Sequence, residues 1–171
     1  MNHEESLTGL VARVQRLEDE LAIIRNLTSY GPLVDAGAAD AVAALWTEAG
    51  EYDVEGWRIV GRADLRAMVR SEAHQDIITG GSAHFFGPAH VERIDGDEAT
   101  AVCESILVRN EDGRFYIWRA GVHRIELRRT DDGWCVTRRI TRPLDGSAEG
   151  RQLLTGTLAP TTGPDTDRHG R

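Results

Sequence analysis

The chain has 171 residues, of which 40% are hydrophobic and 28% charged, a balance typical of one globular domain with a sizeable core. Its net charge of -8 disfavours nucleic acid as a partner, because phosphates are bound by a basic face. All 20 Lys and Arg positions are arginine. Chemistry that needs a lysine, such as Schiff-base formation or a phosphate-binding P-loop, is therefore excluded.

No apolar run approaches the roughly 20 residues that span a bilayer, so no membrane association is expected. The first residues are acidic where a secretory signal is basic, which predicts a cytoplasmic protein. Cys103 and Cys135 are too few and too far apart for a disulfide framework or a zinc knuckle. We interpret both as buried structural thiols and expect neither a metal nor an organic cofactor.

Apolar residues near the N-terminus recur at alternating intervals of three and four: Leu7, Leu10, Val14, Leu17, Leu21 and Ile24. This seam predicts an amphipathic helix that Gly31-Pro32 breaks or kinks. Three heptads could form a short coiled coil, but we favour packing of the helix along its own domain. Two further helices are predicted, at about residues 38–47 and 62–72.

Beyond Gly50 the apolar pattern shifts towards a period of two residues, which predicts strands. The predicted strands cover residues 51–54, 58–60, 90–94, 99–108, 114–128 and 134–142. Turn signals such as Asp95-Gly96-Asp97 separate them. Helices followed by an antiparallel meander indicate an α+β fold with helices on one face of the sheet. We assign residues 1–145 to one domain and 146–171 to a C-terminal extension, flexible from residue 156 onward.

Two polar residues stand among apolar neighbours: Asp35 after Leu33-Val34, and His84 before Phe85-Phe86. A carboxylate that orients a histidine makes a general base near neutral pH. The alternative is structural, with Asp35 capping the next helix and His84 a hydrogen-bonded core histidine. The residues alone leave both interpretations open.

Strand alternation places three more polar side chains on apolar faces. Glu104 alternates in step with Val102 and Ile106, His123 does so with the aliphatic residues that follow it, and Arg142 keeps the parity of the apolar residues of the last strand. This parity predicts that Arg142 points into the mouth of the fold. Several such groups around one cavity are typical of a small-molecule site, although each alone is more often structural.

Several stretches of the chain resemble the SnoaL-like branch of the nuclear transport factor 2-like superfamily over about residues 7–145. They include Ala44-Leu45-Trp46-Thr47, Ala83-His84-Phe85-Phe86-Gly87 and Asp132-Gly133-Trp134. The resemblance implies a cone in which a strongly curved sheet and three N-terminal helices enclose an apolar pocket. It also implies a homo-oligomer, and we expect a trimer rather than a dimer, built largely through the sheet face that carries Tyr116, Trp118 and Val122.

Within that branch the chain looks most like the cofactor-independent dehydratases, namely scytalone dehydratase, bile acid dehydratase and the related lindane dehydrochlorinase. Their catalytic Asp/His pair falls on Asp35 and His84, and the tyrosine five residues before the aspartate falls on Tyr30. The sequence does not identify the second histidine and paired tyrosines of scytalone dehydratase, so a scytalone-like substrate is not expected.

The resemblance also suggests residues that bind the substrate. An arginine at the end of the last strand matches Arg142, and an acid in mid-strand matches Glu104, or Ser105 if a gap intervenes. The complete set of expected substrate-binding residues is Arg142, Glu104, His123, Trp46 and Phe86.

The predicted function is that of a cofactor-independent lyase or isomerase acting on a hydrophobic cyclic or polycyclic small molecule. His84, held by Asp35, would remove a proton, and Tyr30 would donate a hydrogen bond to the developing negative charge. Three alternatives stay open: a SnoaL-like cyclase or epoxide-opening enzyme, a non-catalytic binding or assembly module, and the small subunit of a ring-hydroxylating dioxygenase.

Overall fold

The computed structural model describes residues 3–158, and side chains within residues 7–154. Within this range the helices are α1 (His3–Asp35), α2 (Ala39–Ala44), α3 (Gly61–Arg70), α4 (Glu72–Gly80) and α5 (Ala148–Leu158). The strands are β1 (Trp46–Val54), β2 (Trp57–Val60), β3 (Ser82–Phe86), β4 (His90–Asp95), β5 (Glu98–Glu111), β6 (Arg114–Thr130) and β7 (Gly133–Pro143). The predicted α+β class is confirmed, with five helices in the described chain.

All seven strands form one curved, unclosed sheet in the order β2-β1-β7-β6-β5-β3, with β4 also paired to β5. The β1–β7 pair is parallel and the other pairs are antiparallel. Helix α1 packs against the sheet, and its Ile23, Leu27 and Val34 share one core with Ile125 and Leu127 of β6. No helix of the described chain is both long and apolar enough to cross a membrane.

The sequence predicted that Gly31-Pro32 breaks or kinks helix α1; the helix is not broken there but continues to Asp35. Proline removes a single backbone donor, whereas Ile23, Leu27 and Val34 stay buried against the sheet on both sides of it. Burial of this face outweighs the loss of one hydrogen bond. As a result, Asp35 lies at the C-terminal end of α1 rather than at the start of the next helix.

The predicted packing of α1 along its own domain is wrong for its first half. Every residue from 7 to 18 is exposed, and Asp19 is the first buried one. Asp19 accepts hydrogen bonds from both terminal nitrogens of Arg129, at 2.6 and 2.7 Å, and one at 3.2 Å from the indole of Trp134. The sheet therefore covers α1 only from this point onward.

The middle of the chain differs from the predicted elements in several boundaries. The predicted helix 38–47 ends at Ala44, because Trp46 begins β1 and pairs with Val136 of β7. The predicted helix 62–72 ends at Arg70, and Ser71 caps a separate helix, α4, by accepting from the amide of His74. Helices α4 and α5 and strand β3 were not predicted.

Two β-bulges change which residues face the core. Between the pairs Leu127↔Val136 and Glu126↔Arg138, strand β7 carries one extra residue, Thr137. Strand β6 likewise carries Trp118 as an extra residue opposite β5. An extra residue reverses the inward and outward alternation beyond it, because side chains in a strand point to opposite faces with a period of two.

The sheet face that was predicted to form the oligomer interface is only partly exposed. Tyr116 and Trp118 are partly exposed, but Val122 is fully buried within its own chain. The homo-oligomer stays a prediction. The predicted flexible segment from residue 156 lies outside the described residues, apart from the backbone at the end of α5.

We expect Gly31→Ala to destabilise the fold because α1 touches β3 at this glycine. A Cβ at Gly31 would overlap the carbonyl oxygen of His84, which is backbone and cannot rotate away. Such overpacking costs about 3 kcal/mol. The matched control is Gly9→Ala, since a Cβ there meets nothing within 4 Å. Urea denaturation should show a large loss in the free energy of unfolding for Gly31→Ala and no loss for Gly9→Ala. Equal stability of the two variants would contradict the close contact.

Candidate active site

The end of α1 and strand β3 bring Asp35 and His84 into direct contact. The Nδ1 atom of His84 lies 2.7 Å from Oδ1 of Asp35, and the amide N–H of His84 donates to Oδ2 at 2.7 Å. The hydroxyl of Ser82 donates to Oδ1 at 2.9 Å. The carboxylate is thus bound by three donors and holds both the ring and the backbone of His84.

Electrostatics favour a neutral imidazole beside an ionised carboxylate. Burial lowers the pKa of His84, and the nearby charge of Asp35 opposes that shift without cancelling it. Partial burial would raise the pKa of Asp35, but the hydrogen bonds from His84 and Ser82 outweigh it and hold the pKa below its ordinary value. An ionised carboxylate accepts the Nδ1 proton, which leaves the lone pair of the neutral ring on Nε2.

The ring of His84 lines a cavity of about 70 Å³ between α1, β1 and the concave face of the sheet. The lining residues are Tyr30, Tyr52, His84, Phe86, Ser105, Ile106, Leu107, Arg119, His123, Arg139 and Thr141. The lining is mixed, with aromatic rings next to hydrogen-bonding groups, rather than apolar as expected.

Three aromatic rings surround the guanidinium of Arg139. Its Cζ lies 4.4 Å from the ring centres of both Tyr30 and Tyr52, and 4.7 Å from that of Phe86. Only 4% of the residue is exposed, and no carboxylate among the described residues lies within ion-pair distance of it. Cation–π contacts stabilise this buried charge, but they leave it without an anionic partner.

His123 lies behind Arg139 and is held as a neutral ring. Arg139 can only donate, and its Nε and Nη2 lie 3.3 and 3.2 Å from Nδ1 of His123, so this nitrogen accepts. The hydroxyl of Thr141 lies 2.6 Å from the same nitrogen, and Nε2–H is left to donate to the Ser105 hydroxyl, also at 2.6 Å. Burial, with the nearby charge of Arg139, places the pKa of His123 well below its ordinary value.

Tyr30 is at the centre of the aromatic cluster. Its ring meets those of Trp46, Tyr52, His84 and Phe86 edge-on, with centroids between 5.4 and 6.5 Å apart. Burial raises the pKa of its hydroxyl, so the group stays protonated at neutral pH. Trp46 is buried behind Tyr30 and does not line the cavity.

Arg142 and Glu104 do not reach the cavity. The guanidinium of Arg142 binds both carboxylate oxygens of Asp53, at 2.9 and 3.0 Å, because the bulge at Thr137 turns it to the other face. Glu104 is exposed, and its neighbour Ser105 points inward. The alternation of apolar and polar residues along β5 did not show which face is inward, since Val102 on the outer face is as buried as Cys103 on the inner face.

Sequence reasoning missed several residues at or beside the site, among them Tyr52, His74, Arg119 and Arg139. Arg119 lines the cavity and forms an ion pair with Glu55. The ring of His74 stacks on that of His84 at 5.8 Å, and burial lowers its pKa. Only Tyr52 carried a sequence signal, as an aromatic residue within a predicted strand. The structure thus brings two tyrosines and two further histidines to this region.

Within the described residues, no group of three or more His, Cys, Asp or Glu side chains is placed to hold a metal ion. Imidazole, phenol, hydroxyl and guanidinium groups line the cavity itself.

Three solved structures show how similar proteins are built. An NTF2-like protein with a cystatin-like fold from Novosphingobium aromaticivorans is 44% identical, with a TM-score of 0.84, and the match covers 86% of this chain and 96% of that one. A "Putative Scytalone Dehydratase" from the same species is 19% identical, with a TM-score of 0.63 and coverage of 75% and 85%. The hexachlorocyclohexane dehydrochlorinase LinA-type3 from Novosphingobium barchaimii is 20% identical, with a TM-score of 0.66 and coverage of 79% and 96%.

The last two similarities show a shared fold alone, because their identities are low. A comparison with curated proteins gives no match. The SnoaL-like domain family matches residues 15–140, which is most of the chain and contains every residue of the cavity except Thr141. The chain therefore belongs to the SnoaL-like domain family, within the NTF2-like superfamily.

Proposed function

We propose that the protein is a cofactor-independent lyase or isomerase that acts on a cyclic small molecule by proton transfer at carbon. One observation carries the proposal. A neutral imidazole, fixed at Nδ1 by Asp35, lines the same small cavity as a buried guanidinium that has no carboxylate partner among the described residues. A base and a stabiliser of negative charge are the two groups that enolisation requires.

In the proposed reaction, Nε2 of His84 removes a proton from a carbon next to a carbonyl group. The electrons of the broken C–H bond form a carbon–carbon double bond, and the carbonyl oxygen becomes an enolate. Arg139 stabilises this oxygen, because a buried cation interacts strongly with charge that develops in a water-poor site. Tyr30, which stays protonated, donates a hydrogen bond to the enolate or to the leaving group.

The second half of the reaction depends on the substrate. If a hydroxyl stands on the adjacent carbon, the enolate collapses, the C–O bond breaks, and the hydroxyl leaves as water with the proton from the His84 imidazolium. If that position carries no leaving group, His84 returns the proton to another carbon of the conjugated system. The first outcome is a dehydration and the second is an isomerisation.

The size and lining of the cavity limit the substrate. Ligand sites usually enclose ~300–1,000 Å³, whereas this cavity holds about 70 Å³. A single ring already requires movement of side chains such as Phe86, which is only partly buried. We therefore propose a monocyclic substrate with one polar oxygen directed at Arg139, rather than a polycyclic one. Elimination is also the chemistry named for the dehydratase and the dehydrochlorinase that share this fold.

The first functional prediction concerns His84 as the base. Proton exchange at the α-carbon of cyclic ketones, and dehydration of cyclic β-hydroxy ketones, are followed by NMR in D₂O and by the absorbance of the enone. The rate should rise with pH to a plateau. The midpoint of this rise should lie below about pH 6.5, because burial lowers the pKa of His84. His84→Ala should abolish the activity.

Asp35→Asn tests how His84 is held. The carboxylate raises the pKa of His84, so its loss should move the midpoint to still lower pH. Turnover at the plateau should fall by roughly 10²-fold or more, since an amide can donate to Nδ1 and place the ring proton on Nε2. Glu104→Gln is the control, because Glu104 is exposed on the outer face. Full turnover in Asp35→Asn would rule out the dyad.

The second functional prediction compares two adjacent arginines of β7. Arg139→Met removes the buried cation, whereas Arg138→Met removes an exposed one. We expect the first variant to lose about 10²–10³-fold in turnover and the second to keep it. The free energy of unfolding, measured in urea, should show whether a loss of turnover comes from a loss of folding. Because a buried charge without an anion costs free energy, Arg139→Met should lose no more than about 1 kcal/mol. Equal turnover in the two variants would exclude Arg139 from the reaction.

A further inference from the structure

The first half of α1 extends beyond the sheet and carries an exposed apolar seam. Leu7, Leu10, Val14, Leu17 and Leu21 are between 45% and 65% exposed. They occupy alternating a and d positions of a heptad repeat that starts with Leu7 at a and ends with Ile24 at d. A regular seam of large apolar side chains in water is unfavourable and marks an interaction surface.

The seam and the face that packs on the domain lie on opposite sides of the same helix. Asp19, Ile23, Leu27 and Tyr30 are buried against the domain. At 100° per residue, the centre of this face lies roughly 150° from the centre of the seam. A second helix could therefore pack along the whole seam, including Leu21, without contacting the domain that α1 supports.

The charged residues beside the seam identify the partner. With Leu7 at position a, the g positions hold Arg13 and Glu20, and the e positions hold Val11, Glu18 and Arg25. In two parallel helices in register, each g residue lies opposite the e residue five positions later in the other copy. Arg13 then meets Glu18, and Glu20 meets Arg25, so both contacts join opposite charges.

These four side chains are available for such contacts. In the part of the chain that the structure describes, none of them takes part in an ion pair within its own chain. Within residues 7–25, an antiparallel arrangement would bring Arg13 opposite Glu20 but would place Glu18 opposite the apolar Val11. Within residues 7–25, a parallel arrangement of identical helices pairs all four charges, whereas an antiparallel arrangement pairs only two of them.

We propose that residues 7–25 of α1 form a parallel, in-register coiled coil with the same segment of a second copy of this chain. The contact uses a surface different from the sheet face at Tyr116 and Trp118. It places the two domains side by side at the C-terminal end of the coiled coil, with each cavity on the far side of α1 from the partner helix.

Disulfide trapping tests the direction and register. A cysteine in place of Leu10, at a d position, should link two copies under mild oxidation, because in-register parallel helices bring identical d residues together. Arg16→Cys, at the exposed c position of the same helix, should not. The native Cys103 and Cys135 are buried and do not compete. Failure of the Leu10→Cys protein to link, or equal linking of both variants, would overturn the proposal.

Sedimentation of the full chain tests the energetics. The double variant Leu10→Glu, Leu17→Glu should weaken the association at least ~100-fold, because each charge would be buried in the seam. Ala12→Glu, at the exposed f position, should leave the association unchanged. Circular dichroism checks that the domain stays folded, as expected for residues outside its core.

The charge pairs give a separate arm of the test. Arg13→Glu should weaken the association, since Glu would face Glu18 of the other copy, and adding Glu18→Arg should restore it. A monomeric wild-type protein at micromolar concentration, or an oligomer that neither the seam variants nor the charge variants affect, would refute the coiled coil.

Discussion

The contact between helix α1 and strand β3 is the constraint on which the rest of the site depends. Gly31 has no side chain, so the helix backbone reaches the carbonyl of His84, and this approach places Asp35 against both the ring and the amide of the same residue. The carboxylate of Asp35 thus has both a structural and a chemical role. It ties the end of a helix to a short strand, and the same bonds define the tautomer of the imidazole.

A second constraint is the buried charge of Arg139. Three aromatic rings and one neutral histidine hold it in place of a carboxylate. A carboxylate partner would stabilise the cation but would also neutralise it, whereas ring faces and a neutral nitrogen leave its positive charge available. Because cation and base share a small cavity, charge that develops on a substrate there would meet a preorganised partner. The proposed enolisation follows from this pairing.

Much of the fold could be predicted from local patterns, and the errors have identifiable physical causes. The apolar seam predicted α1, and turn signals placed the hairpins, because both depend on residues close in sequence. The break that was one of the two predicted effects of Gly31-Pro32 does not occur, because tertiary burial of Val34 outweighs the local effect of Pro32. Arg142 was assigned to the cavity in place of Arg139 because one bulge at Thr137 reverses the alternation, and a bulge leaves no clear mark in the strand pattern.

The sequence by itself determined the α+β class, the absence of lysine chemistry and the candidate pair Asp35 and His84, since composition, periodicity and motif resemblance are properties of the chain alone. Tertiary structure decided the rest. Only the folded sheet shows that Tyr52, His123 and Arg139, which come from three strands, converge on one cavity, and that Glu104 faces away from it. Convergence depends on register and curvature, and these arise from long-range pairing between strands rather than from any local pattern.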